Sequence, residues 1–231
     1  MGSLVVPVLA ERFHVVLADL VHPDWWEGAF VRVDVTQPAT LDSVFGGADA
    51  LVYMAMGPMA DWGSPDWAQQ HFAVNVGGAY AATQAAARAG VKRFVLGSSA
   101  SIFEDFAHRP DATEPDATEP YGLSKTCGEL VFKTAAREFG IPAVALRMIL
   151  PRADEEYVSG TFERADLATS GTDTAAAYVA ALERNLEPGF HAVTLSGNPE
   201  WGTERQQHLR ELLGWEPKVL RPSSRLHSVI A

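Results

Sequence analysis

Lysine and cysteine are scarce in this 231-residue chain, with four lysines (Lys92, Lys125, Lys133, Lys218) and one cysteine, Cys127. A single thiol excludes an internal disulfide. Lys and Arg together number 18 against 29 Asp and Glu, for a formal net charge of -11. A nucleic-acid backbone or an anionic membrane surface needs clustered basic residues, so neither is an expected partner and a small molecule is. No basic-then-apolar leader is present, nor any apolar run of about 18 residues, and the expected location is the cytoplasm. The sequence leaves the oligomeric state open, a homo-oligomer included.

What is present is a hydrophobic content of 47% in a length that suits one domain with a full core. Apolar β-branched runs alternate with helical stretches. Strands are expected at 12–18, ending at Asp19, then at 30–33, 50–55, 92–98 and 143–149. Helices are expected at 39–45, closed by Gly46-Gly47, at 65–90, at 120–140 and at 201–215, with a further helix after Ser170 capped by Asp173. This alternation indicates an α/β fold with a doubly wound, Rossmann-like parallel sheet over residues 1–231. Residues 150–231 are expected to supply the small substrate side. Ligands in such sheets bind beyond the carboxyl ends of the strands, where Asp19, Asp34, Ser99 and Arg147 fall.

The stretch with the clearest chemistry is Tyr121-Gly122-Leu123-Ser124-Lys125, which opens the 120–140 helix. Four residues apart on a helix, the Tyr121 phenol and the Lys125 ammonium share one face, and a nearby cation favours the phenolate needed for acid/base work. Spacing alone is weak evidence. Five tyrosines and four lysines in 231 residues give such a pair by chance with a probability of roughly 0.1. Two further features add weight: hydroxyls of Ser98, Ser99 and Ser101 at the end of the 92–98 strand, and Asn75 within the 65–90 helix.

Asn75, Ser99, Tyr121 and Lys125 together resemble the site of the short-chain dehydrogenase/reductase superfamily. The likeness is to its extended branch of sugar-modifying NAD-dependent epimerases, dehydratases and dehydrogenases. The resemblance runs from about Gly2 to Pro217 and implies a catalytic set. Tyr121 is the acid/base, Lys125 holds the nicotinamide ribose and lowers the tyrosine pKa, Ser99 orients the substrate hydroxyl, and Asn75 supports a water-linked proton path. Ser98-Ser99-Ala100-Ser101-Ile102-Phe103 looks like the family's Ser-[Ser/Thr]-x-x-Val-Tyr run, whose second hydroxyl is the catalytic one. The compact tail with Trp201 looks most like the uronate dehydrogenase subgroup, although that subgroup has Ser-Asn-His where this chain has Ser99-Ala100-Ser101.

The cofactor implied is NAD. Asp19, about 20 residues after Gly2, is placed to accept the ribose hydroxyls and to repel the extra phosphate of NADP. The resemblance adds the Asp34-Val35 pair at the adenine, and Ala55, in Met54-Ala55-Met56-Gly57, in the small-residue turn after the strand at 50–55. Arg147 resembles the arginine that begins the family's segment beside the nicotinamide, and Arg147, Arg152 and Ser101, with Ser99, are expected to contact the substrate, Arg152 through an acidic group. Trp62 and Trp67 flank the next turn and suit either a pocket wall or helix-start packing.

The tandem repeat over 110–120 carries prolines and carboxylates that preclude regular structure. It is read as an exposed loop over the site, and no metal site is expected there. The chain begins where the family's first helix should begin, and Gly2 matches only the last glycine of the dinucleotide fingerprint. The first strand and most of the glycine-rich loop are therefore expected to be absent, with Met1 read as an internal methionine of a longer loop. The residues as a set favour an NAD-dependent oxidoreductase of a carbohydrate-like alcohol or lactol. The alternatives are a nucleotide-sugar epimerase or dehydratase, and a truncated, non-catalytic remnant of the fold.

Overall fold

Strands buried on both faces must carry apolar side chains at consecutive positions, and two stretches of this chain do so without a break. In the computed structural model, which describes residues 1–41, 44–110 and 112–219, they form the central strands β4 (Arg93–Ser99) and β5 (Pro142–Met148). With β3 (Ala50–Tyr53) and β8 (Gly189–Leu195) they build a parallel sheet in the order β3-β4-β5-β8.

Alternate side chains of these strands feed two cores. Phe94, Leu96, Ala143 and Ala145 pack with Ala82, Ala86, Phe132 and Ala136 from helices α3 (Ala79–Arg88) and α4 (Pro120–Phe139). Val95, Val144 and Leu146 pack on the other side with α1 (Gly2–Ala10), α6 (Gly171–Glu183) and α7 (Thr203–Leu213). Helices on both faces of a parallel sheet make the doubly wound arrangement expected from the sequence.

The sheet is divided at one place. Strands β1 (Val16–Asp19) and β2 (Ala29–Arg32) pair in parallel with each other, and among the described residues they make no ladder with β3. The division lies between β1 and β3. Its effect is visible in burial. Val16 is 43% exposed, whereas Phe94 and Val95 in β4 are fully buried.

Three local expectations are corrected. The single helix over 65–90 is α2 (Pro65–Phe72) and α3 joined by a π-helical segment at Ala73–Gly78. A 3-10 turn at Pro38–Thr40 stands in place of a helix over 39–45, and residues 42 and 43 lie outside the described residues. The cap of α6 is Ser170, whose hydroxyl accepts from Asp173 N at 3.0 Å. Asp173 instead lies in the first turn, where its carboxylate accepts from Lys218 N and Val219 N. Three short elements complete the chain beyond β5: β6 (Pro151–Arg152) pairs with β7 (Thr169–Ser170), and α5 (Asp154–Ser159) lies between them.

The 110–120 loop, of which Asp111 lies outside the described residues, is tied back to the body. Asp116 N and Ala117 N both donate to Ile102 O at 3.0 Å, and the Asp116 carboxylate pairs with Arg109.

Candidate active site

Helix α4 delivers Tyr121 and Lys125 to the carboxyl end of β4, and its start is built for that approach. Glu119 caps the helix by accepting from Tyr121 N at 2.8 Å and from Gly122 N. Pro120 at the first position has no amide to leave unsatisfied. A side chain on Gly122 would collide with the carbonyl of Ser101, so glycine lets the helix meet the segment after β4. Gly128, less than two turns further along, does the same for the π-helical segment, since a Cβ there would stand 2.8 Å from the carbonyl oxygen of Asn75.

The four residues singled out in sequence converge there. Ser99 ends β4 and its hydroxyl accepts from Ser101 N at 3.1 Å. The Ser99 hydroxyl acts on the Tyr121 phenol in the direction that favours the phenolate. Lys125 is buried, donates from Nζ to Gly97 O at 3.0 Å, and places Nζ 5.9 Å from the centre of the Tyr121 ring. Asn75 is buried in the π-helical segment. Its Nδ2 donates to Ser124 Oγ at 2.9 Å and its Oδ1 is buried without a partner among the described residues. An inserted residue in a helix often sits at a functional site because it re-aims one side chain and frees backbone carbonyls.

The electrostatics depart from the expectation in one respect. Tyr121 lies above its ordinary value, because burial outweighs the effect of the Ser99 hydroxyl and the nearby Glu119 carboxylate pushes the same way. Lys125 is itself pulled down to about 8 by burial, partly offset by Glu129, so it is a weaker source of positive charge than an exposed lysine.

Glu129, one turn beyond Lys125, belongs to a network that the sequence reading missed. It is buried, and its Oε1 accepts from Ser98 Oγ at 2.6 Å and from Arg147 Nε at 2.9 Å. Its Oε2 accepts from Arg147 Nη2 at 2.7 Å. The expectation that Arg147 addresses a substrate is thereby corrected, since its side chain is only 14% exposed and its guanidinium is committed to Glu129. The signal was available in sequence as a carboxylate at i+4 from Lys125.

His71 was also missed. It is fully buried, and its Nε2 must carry the proton, because its partner at 3.1 Å is the Pro58 carbonyl oxygen, which can only accept. Nδ1 is then free to accept from Asn75 Nδ2, at 3.4 Å.

The outlying candidates are placed as follows. Arg152 sits on β6, ion-paired with Glu156 at 3.2 Å. Asp19 ends β1 with an exposed carboxylate whose Oδ1 accepts from Leu20 N at 2.7 Å. The Asp34 carboxylate is closed onto Thr36 N and Oγ1 at 2.9 and 2.6 Å, so the side chain stabilises its own turn. Val35 and Ala55 are partly buried against the core shared with α3, and Val35 leaves no room for a side chain on Gly78. Around Gly2 a Cβ would meet only Trp25, at 3.7 Å, so the start of α1 is open.

The donor and acceptor set fits a dinucleotide ribose at two points. Asp19 keeps Oδ2 for hydroxyls, and Lys125 makes one hydrogen bond of the three its ammonium can donate.

No curated protein sequence matches the chain. Solved structures do share its fold. A UDP-glucuronic acid 4-epimerase from Bacillus cereus in complex with UDP-glucuronic acid and NAD superposes with a TM-score of 0.74 at 16% identity, covering 95% of this chain and 91% of that one. A mutated uronate dehydrogenase gives 0.73 at 23% identity, covering 94% and 78%. A short-chain dehydrogenase/reductase superfamily protein from Agrobacterium tumefaciens with bound NAD gives 0.71 at 19%, covering 95% and 81%. At these identities the likeness is one of fold. The model of the NAD dependent epimerase/dehydratase family matches residues 1–155, and the chain belongs to that family.

Proposed function

We propose that this chain is an NAD-dependent oxidoreductase acting on a carbohydrate-like alcohol or lactol, a sugar or a sugar acid. The observation that carries the reading is that Ser99 ends β4 where helix α4 brings Tyr121 and, one turn behind it, Lys125, whose Nζ donates to Gly97 O and lies 5.9 Å from the Tyr121 ring centre, with Asn75 bonded to Ser124 of the same helix. NAD, when bound, supplies the two-electron acceptor. Tyr121 takes the proton of the substrate hydroxyl, and Ser99 orients that hydroxyl by hydrogen bonding. Lys125 holds ribose hydroxyls with its remaining donors, and Asp19 holds those at the adenosine end. Val35 and Ala55 line the cofactor, while Asp34 acts through the turn it closes. Ser101 and Arg152 stand on the substrate side, and Asn75 assists proton transfer through its buried Oδ1.

The test follows NAD reduction against a panel of sugars and uronates, with Tyr121→Phe beside the native chain. Losing one oxygen changes little volume, so folding persists while kcat falls by roughly two to four orders of magnitude. Turnover by Tyr121→Phe within a few-fold of the native rate would overturn the assignment. Conversion of a nucleotide sugar to its epimer without net NADH would move the chain to the epimerase reading.

A further inference from the structure

Trp62 is out of place for a residue that only packs. The indole is 52% exposed, yet its ring centre lies 5.4 Å from that of Tyr121, tilted by 49°, and 4.3 Å from that of Trp67. Beneath it, Trp67 and His71 are buried and contact each other at 4.3 Å, and His71 meets the Tyr121 ring edge-on at 5.7 Å. Three rings therefore brace a fourth that stays open to solvent beside the phenol.

The loop that presents it adopts costly backbone. Asp61 has φ of +55° and Gly63 has φ of +87°, so the residues on either side of Trp62 are both left-handed, and only one of them is glycine. A non-glycine residue there is disfavoured and is held only when its surroundings demand it. Two contacts supply that demand. His71 donates to Pro58 O, and Ser64 caps α2 by accepting from Trp67 N at 3.2 Å. Gly57 also allows the loop to run against His71, since a Cβ there would stand 2.7 Å from the imidazole.

We propose that Trp62 is a stacking platform for the apolar face of a pyranose ring, positioning the ring so that an edge hydroxyl meets Tyr121. This rests on the oxidoreductase reading for the reaction but not for the binding. A pyranose presents axial C–H bonds on a face and hydroxyls around its edge. The face of an indole carries excess negative charge and attracts such C–H groups, and an exposed ring gains further by being covered. The platform selects closed six-membered sugars, free or uronic, over open-chain alcohols of the same functional groups.

The experiment uses the native chain, Trp62→Phe and Trp62→Ala, with D-glucuronate as probe and an open-chain hydroxy acid as control. Glucuronate binding to all three chains is measured by calorimetry, intrinsic fluorescence is titrated to follow Trp62, and KM and kcat are measured with NAD where turnover occurs. Trp62→Ala should raise the glucuronate dissociation constant or KM by about tenfold or more, and where turnover occurs kcat should fall too, because the hydroxyl is no longer held at Tyr121. Trp62→Phe should keep most of the affinity while losing the fluorescence change. A dissociation constant for Trp62→Ala within about twofold of native overturns the platform, as does the absence of any Trp62-dependent signal up to tens of millimolar. Binding with the Trp62 signal but without NAD reduction leaves the platform standing and removes the reaction. Melting temperatures of the variants show whether the exposed position has affected folding.

Discussion

Replacing Glu129 by Gln would separate a structural from an electrostatic role for the network behind Lys125. Gln keeps the shape and one acceptor, but it removes the charge that Arg147 neutralises and that supports the Lys125 ammonium. Two losses follow. An almost buried guanidinium without its partner costs about 3–5 kcal/mol, a large share of the roughly 5–15 kcal/mol that holds a domain together. Residues at i and i+4 lie about 6 Å apart. At an effective dielectric near 20, a carboxylate there is worth roughly 3 kcal/mol to the ammonium, or about two pKa units before the opposing charge of Arg147 is counted.

Lys125 sits at about 8 in the native protein and would fall to near neutrality in the variant. The assays are denaturant unfolding and the pH profile of kcat/KM. The expected outcome is lower stability together with an alkaline limb moved down by about one to two units. The double variant Glu129→Gln/Arg147→Met removes the stray charge, so it should regain most of the stability and move the limb part of the way back, since the opposing cation is gone as well. If the profile of Glu129→Gln superimposes on the native one, Glu129 does not tune Lys125 and the electrostatic argument is wrong.

Three further outcomes are expected. NAD should bind more tightly than NADP, and Asp19→Ala should narrow the gap; a native preference for NADP in parallel titrations would show that Asp19 has another role. Lys125 is held at about 8 against 10.5 in an unfolded chain, so the unfolded state binds more protons in that window and this group adds stability as pH rises from about 8. Above about 10 the buried phenols of Tyr53 and Tyr178, which folding holds above their ordinary value, reverse the trend, and melting temperatures across about pH 7–11 should trace the maximum. In hydrogen exchange, amides of β1 and β2 should be less protected than those of Phe94–Gly97 by at least about a hundredfold, because a two-stranded unit with exposed faces can open alone. Equal protection would mean that the divided sheet unfolds as one.

The sequence alone determined the layering and the spacing that sets Tyr121 and Lys125 on one helix face. Unbroken apolar runs at Phe94–Leu96 and Ala143–Leu146 can only be strands covered on both faces, and the helical segments between them supply the cover. Tyr121 and Lys125 declared themselves because helical spacing is a local property. Tertiary structure decided what depends on neighbours distant in the chain. Whether Arg147 meets a substrate or a carboxylate turns on which side chain of α4 faces β5, and burial then makes Glu129 its obligatory partner. The Tyr121 pKa direction likewise depends on how much water packing excludes, which opposed the simple cation argument. Asn75 needed the π-helical turn, which no propensity signals, to reach Ser124. Trp62 reads in sequence as pocket wall or helix-start packing alike. Only the folding of its loop over Trp67 and His71 sets the indole beside Tyr121, because contacts between side chains brought together by the fold, not local pattern, determine where an exposed ring rests.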